Sequence, residues 1–357
     1  MILFVHVFLL SNQNLELLVA IYVDDLNLIR TPEELQKPAQ CLKNEFEMKD
    51  LGKTRYCLGL QTEQRPNGIF IHQSTYTEKI LKRFNMDKAY PLSTPMIVQS
   101  LDHKKDPFRP KKDDEKILGP EVPYLNAIGA MMYLAQCTRP DIVFSVNLLA
   151  RFISEPTRRH WKGVKHIFRY LRGTIYLGLF YSNELTKNPG LVGYADAGYF
   201  SDPHKARSQI EYIFTFNGTS ISWKSTKQTL VATSSNHSEI LALHEASREC
   251  IWLRYVIHHI QSTCRISSSS DIPTVIYENN VACITQLRGE YIQGDKTKHI
   301  SPKFFCIHEL QQNKKINIKQ IRFIENLVDM FTKALPTSTF EKIVYGIGMR
   351  RFNKLLN

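Results

Sequence analysis

The sequence predicts a mixed chain, α+β with an α/β part, built as more than one domain. Three observations predict it. Apolar runs at 17–21 and 26–29 flank the turn Tyr22-Val23-Asp24-Asp25 and read as strand, tight turn, strand. Residues 122–173 carry helical periodicity. Residues 191–336 alternate strand, strand, strand, helix, strand, helix, helix, strand, helix, the order of a sheet covered by helices. At 357 residues the chain is too long for one ordinary core, so two or three domains are expected.

Each element has a local reason. The first ten residues are apolar but lack a basic start and a cleavage site, and they are too short to span a bilayer, so a buried strand is expected. Residues 31–48 read as a helix that Thr31 can cap and Pro32 can open. A second hairpin is expected, with strands at 55–60 and 69–71 around the turn Pro66-Asn67-Gly68. Residues 74–84 form a short basic helix. Residues 101–117 are charged and broken by proline, a surface linker. The last helix of 122–173 has two stripes. Trp161, Val164, Phe168 and Leu171 should pack inward. Arg158, Lys162, Lys165, Arg169 and Arg172 lie about 100° round the helix and could track a phosphate backbone. In the last region, 238–260 is a long amphipathic helix.

Composition narrows the partners. The net charge of +12 points to an acidic partner, with nucleic acid first. Seven scattered cysteines with no Cys-x-x-Cys pair fit a reducing, intracellular setting, cytoplasmic or nuclear, with no disulfide partner and no zinc site.

The acids carry the chemistry. Asp24 and Asp25 are adjacent at a hairpin tip, where a divalent cation relieves their repulsion. Asp196 lies on a strand, Glu239 in the first turn of the long helix, and Asp329 at the start of the last helix. Tyr277-Glu278-Asn279-Asn280 ends the fourth strand. Carboxylates converging from distant segments are what two-metal phosphodiester hydrolysis needs, with ions roughly 4 Å apart.

Several motifs together resemble one family. Ile221-Ser222-Trp223-Lys224-Ser225-Thr226-Lys227-Gln228, Ser234-Ser235 with Glu239, Thr297-Lys298-His299-Ile300 and Asp329-Met330-Phe331-Thr332-Lys333 with Leu335-Pro336 resemble the ribonuclease H domain of copia-type LTR retrotransposon polyproteins. Tyr22-Val23-Asp24-Asp25, Met48-Lys49-Asp50-Leu51-Gly52, Tyr133-Leu134 with Thr138-Arg139-Pro140-Asp141-Ile142, and Tyr170-Leu171-Arg172-Gly173-Thr174 resemble the reverse transcriptase end and connection of the same polyprotein.

The resemblance implies a truncated reverse transcriptase palm and helical connection followed by a ribonuclease H-like domain. It implies a palm and early thumb remnant at 1–90, a linker and helical connection at 91–190, the ribonuclease H-like domain at 191–336 and a tail at 337–357. It also implies Mg²⁺ or Mn²⁺ as cofactor, an RNA–DNA hybrid or other nucleic acid as partner, and no membrane. Asp24 and Asp25 match palm metal ligands, and Asp196, Glu239 and Asp329 match three ribonuclease H acids.

At the fourth acid the expected pattern puts Asn279 in the Asp position, with Glu278 facing away because neighbouring strand residues alternate. Gly198, Tyr199, Ile210 and Glu211 depart from the pattern too, the last two in a segment that usually ends in Gly. No third palm acid precedes Asp24. The chain is therefore expected to be a decaying copy opening at a fortuitous Met, impaired in catalysis and open to rescue by Asn279→Asp. A non-catalytic nucleic-acid binder and a relic are the alternatives.

Overall fold

Among the described residues the strands form three sheets. The computed structural model describes residues 6–12, 15–23, 25–29, 32–97, 108–184, 190–202, 204, 206–263, 272–289 and 300–352. The first sheet is an antiparallel meander of β1 (His6–Asn12), β2 (Leu15–Tyr22) and β3 (Asp25–Ile29). Tyr22 pairs with Asp25 across a two-residue turn. Val23 in that turn has φ +50°, a strained state for a β-branched residue. The helix α1 (Pro32–Glu45) follows.

The second sheet begins with β4 (Tyr56–Cys57), β5 (Leu60–Arg65) and β6 (Gly68–His72). The single strand expected over 55–60 is broken. Leu58 and Gly59 take φ +53° and +77°, the left-handed pair of a tight hairpin turn, so the chain reverses there and Cys57 pairs with Leu60.

The helices α2 (Ser74–Arg83), α3 (Tyr124–Cys137), α4 (Val143–Ala150) and α5 (Arg158–Gly173) form the middle layer. In α5 the inward stripe is as the periodicity predicts: Val164, Phe168 and Leu171 are fully buried and Trp161 is half-buried. The strand β7 (Leu177–Ser182) then returns antiparallel to β6.

The third sheet has the order β10-β9-β8-β11-β12. The strands β8 (Leu191–Asp202), β9 (Arg207–Phe216) and β10 (Thr219–Lys227) form an antiparallel meander. After α6 (Ser235–Thr263), β11 (Thr274–Glu278) runs parallel to β8. The helices α7 (Val281–Arg288) and α8 (Ser301–Gln312) lead to β12 (Ile316–Gln320), parallel to β11. One further turn, α9 (Asp329–Thr332), follows.

Both faces of this sheet are covered, so β8 is buried at every position from Val192 to Ala197 instead of alternating. Ala195, Tyr212 and Phe214 pack against Ile240, Leu243 and Ala246 of α6. On the other face Val192, Tyr194 and Ile213 join Met330, Phe331 and the helical layer in a second core. Gly193 is needed at the crossing, because a Cβ there would lie 2.5 Å from the Phe214 ring.

The motif on β10 joins the third sheet to the helical layer. Trp223 donates its indole N–H to the Ala135 carbonyl at 2.8 Å, and Asn147 donates to the Ser225 carbonyl at 2.8 Å. Ser225 Oγ donates to the Phe331 carbonyl at 3.1 Å. Residues after 336 also belong to the fold. They form α10 (Thr337–Gly346) and β13 (Met349–Arg351), which pairs with β7 and closes the second sheet. Gly348 turns the chain between them with φ +84°, so close to Thr219 that a Cβ would lie 2.6 Å from its Cα. No described helix is long and apolar enough to cross a membrane.

One ion pair is sealed inside the helical layer. Arg139 Nη2 lies 2.7 Å from Asp141 Oδ2, and Arg139 Nε donates to Asp141 Oδ1 at 2.9 Å. Tyr170 donates its hydroxyl to Asp141 at 2.6 Å, and the Thr174 side chain accepts from Arg139 at 2.7 Å. Both charged residues are buried. Removing one partner would leave the other charge unpaired and dry, so Asp141→Ala should cost about 3–5 kcal/mol. Urea unfolding followed by tryptophan fluorescence should show the loss, and an unchanged midpoint would contradict the pairing.

Candidate active site

The acids meet at one end of the third sheet. Asp196 reaches the site from the central strand β8 and is 7% exposed. Glu239 comes from α6, whose start is fixed by Ser234 accepting the His237 amide at 3.2 Å. The helix begins three residues earlier than the periodicity suggests, so Glu239 stands in its second turn. Glu278 is the last residue of β11 and is fully buried. One ligand atom from each of Asp196, Glu239 and Glu278 lies within 4.8 Å of the other two.

The expectation that Asn279 replaces the fourth acid meets a different geometry. Alternation bars neighbours from sharing a face only inside a strand. Glu278 stands where β11 ends, and its Oε1 is turned inward by the amides of Asn279 and Asn280 at 3.0 and 2.9 Å. Its other oxygen stays open. Asn279 still approaches, its Nδ2 lying 3.5 Å from Asp196 Oδ1. Asn280 caps α7 by accepting the Cys283 amide at 3.0 Å. The Glu278 carboxylate and the Asn279 amide therefore both come close to Asp196.

Asp329 opens α9 and is buried, with Lys333 Nζ 3.2 Å from its Oδ2. Asn326 ties this turn to β8, its Nδ2 lying 3.5 Å from the Ala195 carbonyl and its Oδ1 accepting the Val328 amide at 3.3 Å. Glu211 is a further acid in the region. It stands opposite Asp196 in the β8–β9 register and is fully buried.

Burial of so much negative charge shows in the proton affinities. Burial pushes Asp196 up to about 6, and the Asp329 carboxylate adds to the push, while the Ala197 amide and Lys333 oppose it. Burial and then the charges of Glu278 and Asp196 hold Glu239 well above the usual carboxylate range. Glu278 is raised mainly by burial, against the pull of the amides after it. Asp329 is raised by burial and held back by Lys333. Glu211 is raised well above its ordinary value by burial and then by Asp196.

The donor set fits a hard divalent cation. Every candidate ligand is a carboxylate oxygen, the preference of Mg²⁺ and Mn²⁺. Glu239 Oε2, Glu278 Oε2 and Asp329 Oδ1 are buried and lack a hydrogen-bond partner, a cost that coordination would remove.

The other expected site residues are dispersed. Asp24 lies outside the described residues, as do Thr297, Lys298 and His299 of one motif. Asp25 is exposed at the start of β3. Among the described residues no second group of three metal-ligating side chains forms. On α5, Arg158, Lys162 and Lys165 are exposed. Arg169 and Arg172 are partly spent on the fold, donating from Nε to the carbonyls of Tyr90 at 2.8 Å and Asp87 at 2.6 Å. These bonds strap residues 87–90 to the helix.

Comparison with known proteins follows the same layout. The family model for reverse transcriptase (RNA-dependent DNA polymerase) matches residues 3–98. The chain is 33% identical over 341 residues to the retrovirus-related Pol polyprotein from transposon TNT 1-94 of Nicotiana tabacum, covering 95% of this chain and 25% of that polyprotein. It is 30% identical over 332 residues to the retrovirus-related Pol polyprotein from transposon RE1 of Arabidopsis thaliana, covering 93% of this chain and 21% of that one. This chain belongs to the copia-type retrotransposon Pol family.

The Pol-family chain spans a quarter or less of those two polyproteins. Among solved structures, it aligns with LC11 ribonuclease H1 isolated from compost at 17% identity and TM-score 0.30, over 44% of this chain and 99% of that one. It also aligns with the foamy viral protease–reverse transcriptase in complex with RNA/DNA hybrid at 12% identity and TM-score 0.47, over 89% of this chain and 37% of that one. Residues 191–332 form a mixed α/β unit, one five-stranded sheet of order β10-β9-β8-β11-β12 with helices on both faces.

The raised carboxylates give a pH prediction for the metal-free chain. Asp196 binds its proton more tightly in the fold, at about 6, than at its ordinary 3.8. Its contribution to stability is full below about pH 4 and is lost as pH rises through about 6, an effect on the order of 3 kcal/mol. Thermal unfolding in chelator should therefore show stability falling over this window. Adding Mg²⁺ near neutral pH should recover it. Stability flat across the window, or indifferent to Mg²⁺, would contradict the burial of these acids.

Proposed function

We propose that the last domain is a divalent-metal-dependent nuclease that cleaves the RNA strand of RNA–DNA hybrids. The observation that carries this reading is the convergence of Asp196, Glu239 and Glu278, from three separate elements, on one buried place, with the buried Asp329 carboxylate acting on Asp196 as a like charge. Asp196, Glu239 and Glu278 would hold one ion, and Asp196 with Asp329 would face a second. Bound divalent ions would supply an activated water and charge stabilisation at the leaving oxygen.

The chain's own groups set this up. Ser234 and Asn280 fix the helix ends that carry Glu239 and follow Glu278. Asn326 holds the turn of Asp329 against β8. Lys333 keeps Asp329 partly neutralised and oriented until a cation arrives.

The main ground for expecting impaired cleavage is Asn279 in the fourth acid position. With the Glu278 carboxylate beside Asp196 and Glu239, that reason for impairment falls away, and we propose a working acid set. We further propose that Arg158, Lys162 and Lys165 grip phosphates of the nucleic acid, and that Asp24 and Asp25 form a metal-holding palm turn that acts only with further acids.

Two measurements test this. Hybrid cleavage with Mg²⁺ should occur in the unmodified chain. Even outer partners of a metal ligand typically matter by roughly 10–100-fold, so Glu278→Gln should lower cleavage by about 100-fold or more. Asn279→Asp should change it little. Absent cleavage, or a large gain from Asn279→Asp with none lost from Glu278→Gln, would return the fourth role to position 279.

Hybrid binding should weaken with salt. Replacing Arg158, Lys162 and Lys165 together by Ala should flatten the log–log slope by up to about 0.9 per lost contact. An unaltered slope would make this face a solvated surface.

A further inference from the structure

Three residues of β8 stand out of the ladder just past the acid site. Strand β11 ends at Glu278, and its register sets Tyr277 beside Tyr194. Strands β8 and β9 run on beyond that level. Gly198 pairs with Gln209 and Asp202 with Arg207, so Tyr199, Phe200 and Ser201 face Ser208 alone. A bulge of this kind re-aims side chains, and bulges gather beside active sites. The Phe200 amide donates to Ser208 Oγ at 3.3 Å, and Phe200 takes φ +55°.

Neighbouring strand residues point to opposite faces. The left-handed turn at Phe200 overrides this, and the Tyr199 and Phe200 rings meet edge to face with centroids 4.7 Å apart. Both are exposed, at 38% and 43%, and neither belongs to the two hydrophobic cores. Glycine suits a φ of this sign, and a bulky aromatic there is strained. Neither backbone preference nor core packing accounts for Phe200.

The base of the bulge is positive. Asp202 is paired with Lys227, lies 4.0 Å from Arg151 and stands opposite Arg207 in the ladder. Arg151 also acts on Glu211. Three cations against two acids leave a surplus that suits phosphates. The rings follow Asp196 by three and four residues, about 10 Å along a strand.

We infer that Tyr199 and Phe200 pack against the sugars of an RNA–DNA hybrid in its minor groove, a few nucleotides from the phosphate presented to the acids. This rests on the reading of the acid cluster as a nuclease site. The minor groove of an A-form duplex is wide and shallow, so its sugars are open to such contact. Aromatic rings bring a large apolar area to it, and the cations at the base of the bulge face the flanking phosphates.

The test is hybrid cleavage by the full chain with Mg²⁺ over a range of hybrid concentrations, alongside thermal unfolding of each variant. Phe200→Gly removes the ring and the strain together. Its unfolding midpoint should hold or rise while KM rises about tenfold. Tyr199→Ala should raise KM similarly, and Phe200→Tyr, which keeps a ring, should not. Tyr255→Ala removes an equally exposed ring on α6, 16 residues beyond Glu239, and should leave KM as it was.

Unchanged KM in both Phe200→Gly and Tyr199→Ala, with cleavage intact, would overturn the role of the pair and leave the nuclease reading standing. An equal rise in Tyr255→Ala would also overturn it. No cleavage by the unmodified chain would overturn both. If Phe200→Gly failed to fold, Tyr199→Ala would still decide the matter.

Discussion

Negative charge crowded into a dry place is the constraint on which the rest of this molecule turns. Three carboxylates with ligand atoms within 4.8 Å of one another repel strongly. A single pair at 4 Å costs about 4 kcal/mol at an effective dielectric of 20. Nothing in the acids themselves would bring them together. The surrounding backbone does it, with a central strand, a capped helix, a strand end turned by two amides, and a one-turn helix pinned by Asn326. The raised proton affinities of Asp196 and Glu239 express the same repulsion, which a proton or a cation would relieve.

That backbone is itself held from behind. One face of the sheet rests on α6 and the other on the helical layer. Motifs that identify the family turn out to be joints more often than reactive groups. Arg139, Asp141, Tyr170 and Thr174, from two motifs far apart in sequence, close one buried network. Trp223 and Ser225 link β10 to α3, α4 and α9. A change in these residues would reach the acids through packing, without touching them.

Much of this was legible in the sequence. The strand and helix order of 191–336 and the inward stripe of α5 follow from periodicity, because burial on one face repeats at a fixed step. Asp196, Glu239 and Asp329 were readable as acids at strand and helix positions. Glu278 was not, because the alternation rule was carried one residue past the place where the strand stops. Glu211 was visible only as a departure from a pattern. Its place beside Asp196 depends on the register of two strands, which no single-strand signal contains. Periodicity places the basic stripe round α5 but does not say that two of its arginines bond to a neighbouring segment. The three-residue β13 has no pattern of its own and is a strand only because β7 offers it an edge.

That last pairing has a consequence for synthesis. Strand β7 is complete by residue 182, yet its outer neighbour comes from residues 349–351. While a ribosome makes the intervening residues, the hydrogen-bonding rim of β7 stays open, with the apolar residues Leu177 and Leu179 beside it. Such a rim is a template for strands of other chains. The segment that seals it follows only after the whole third sheet has been made, so the chain is most prone to clumping while that sheet is still folding over its own acids.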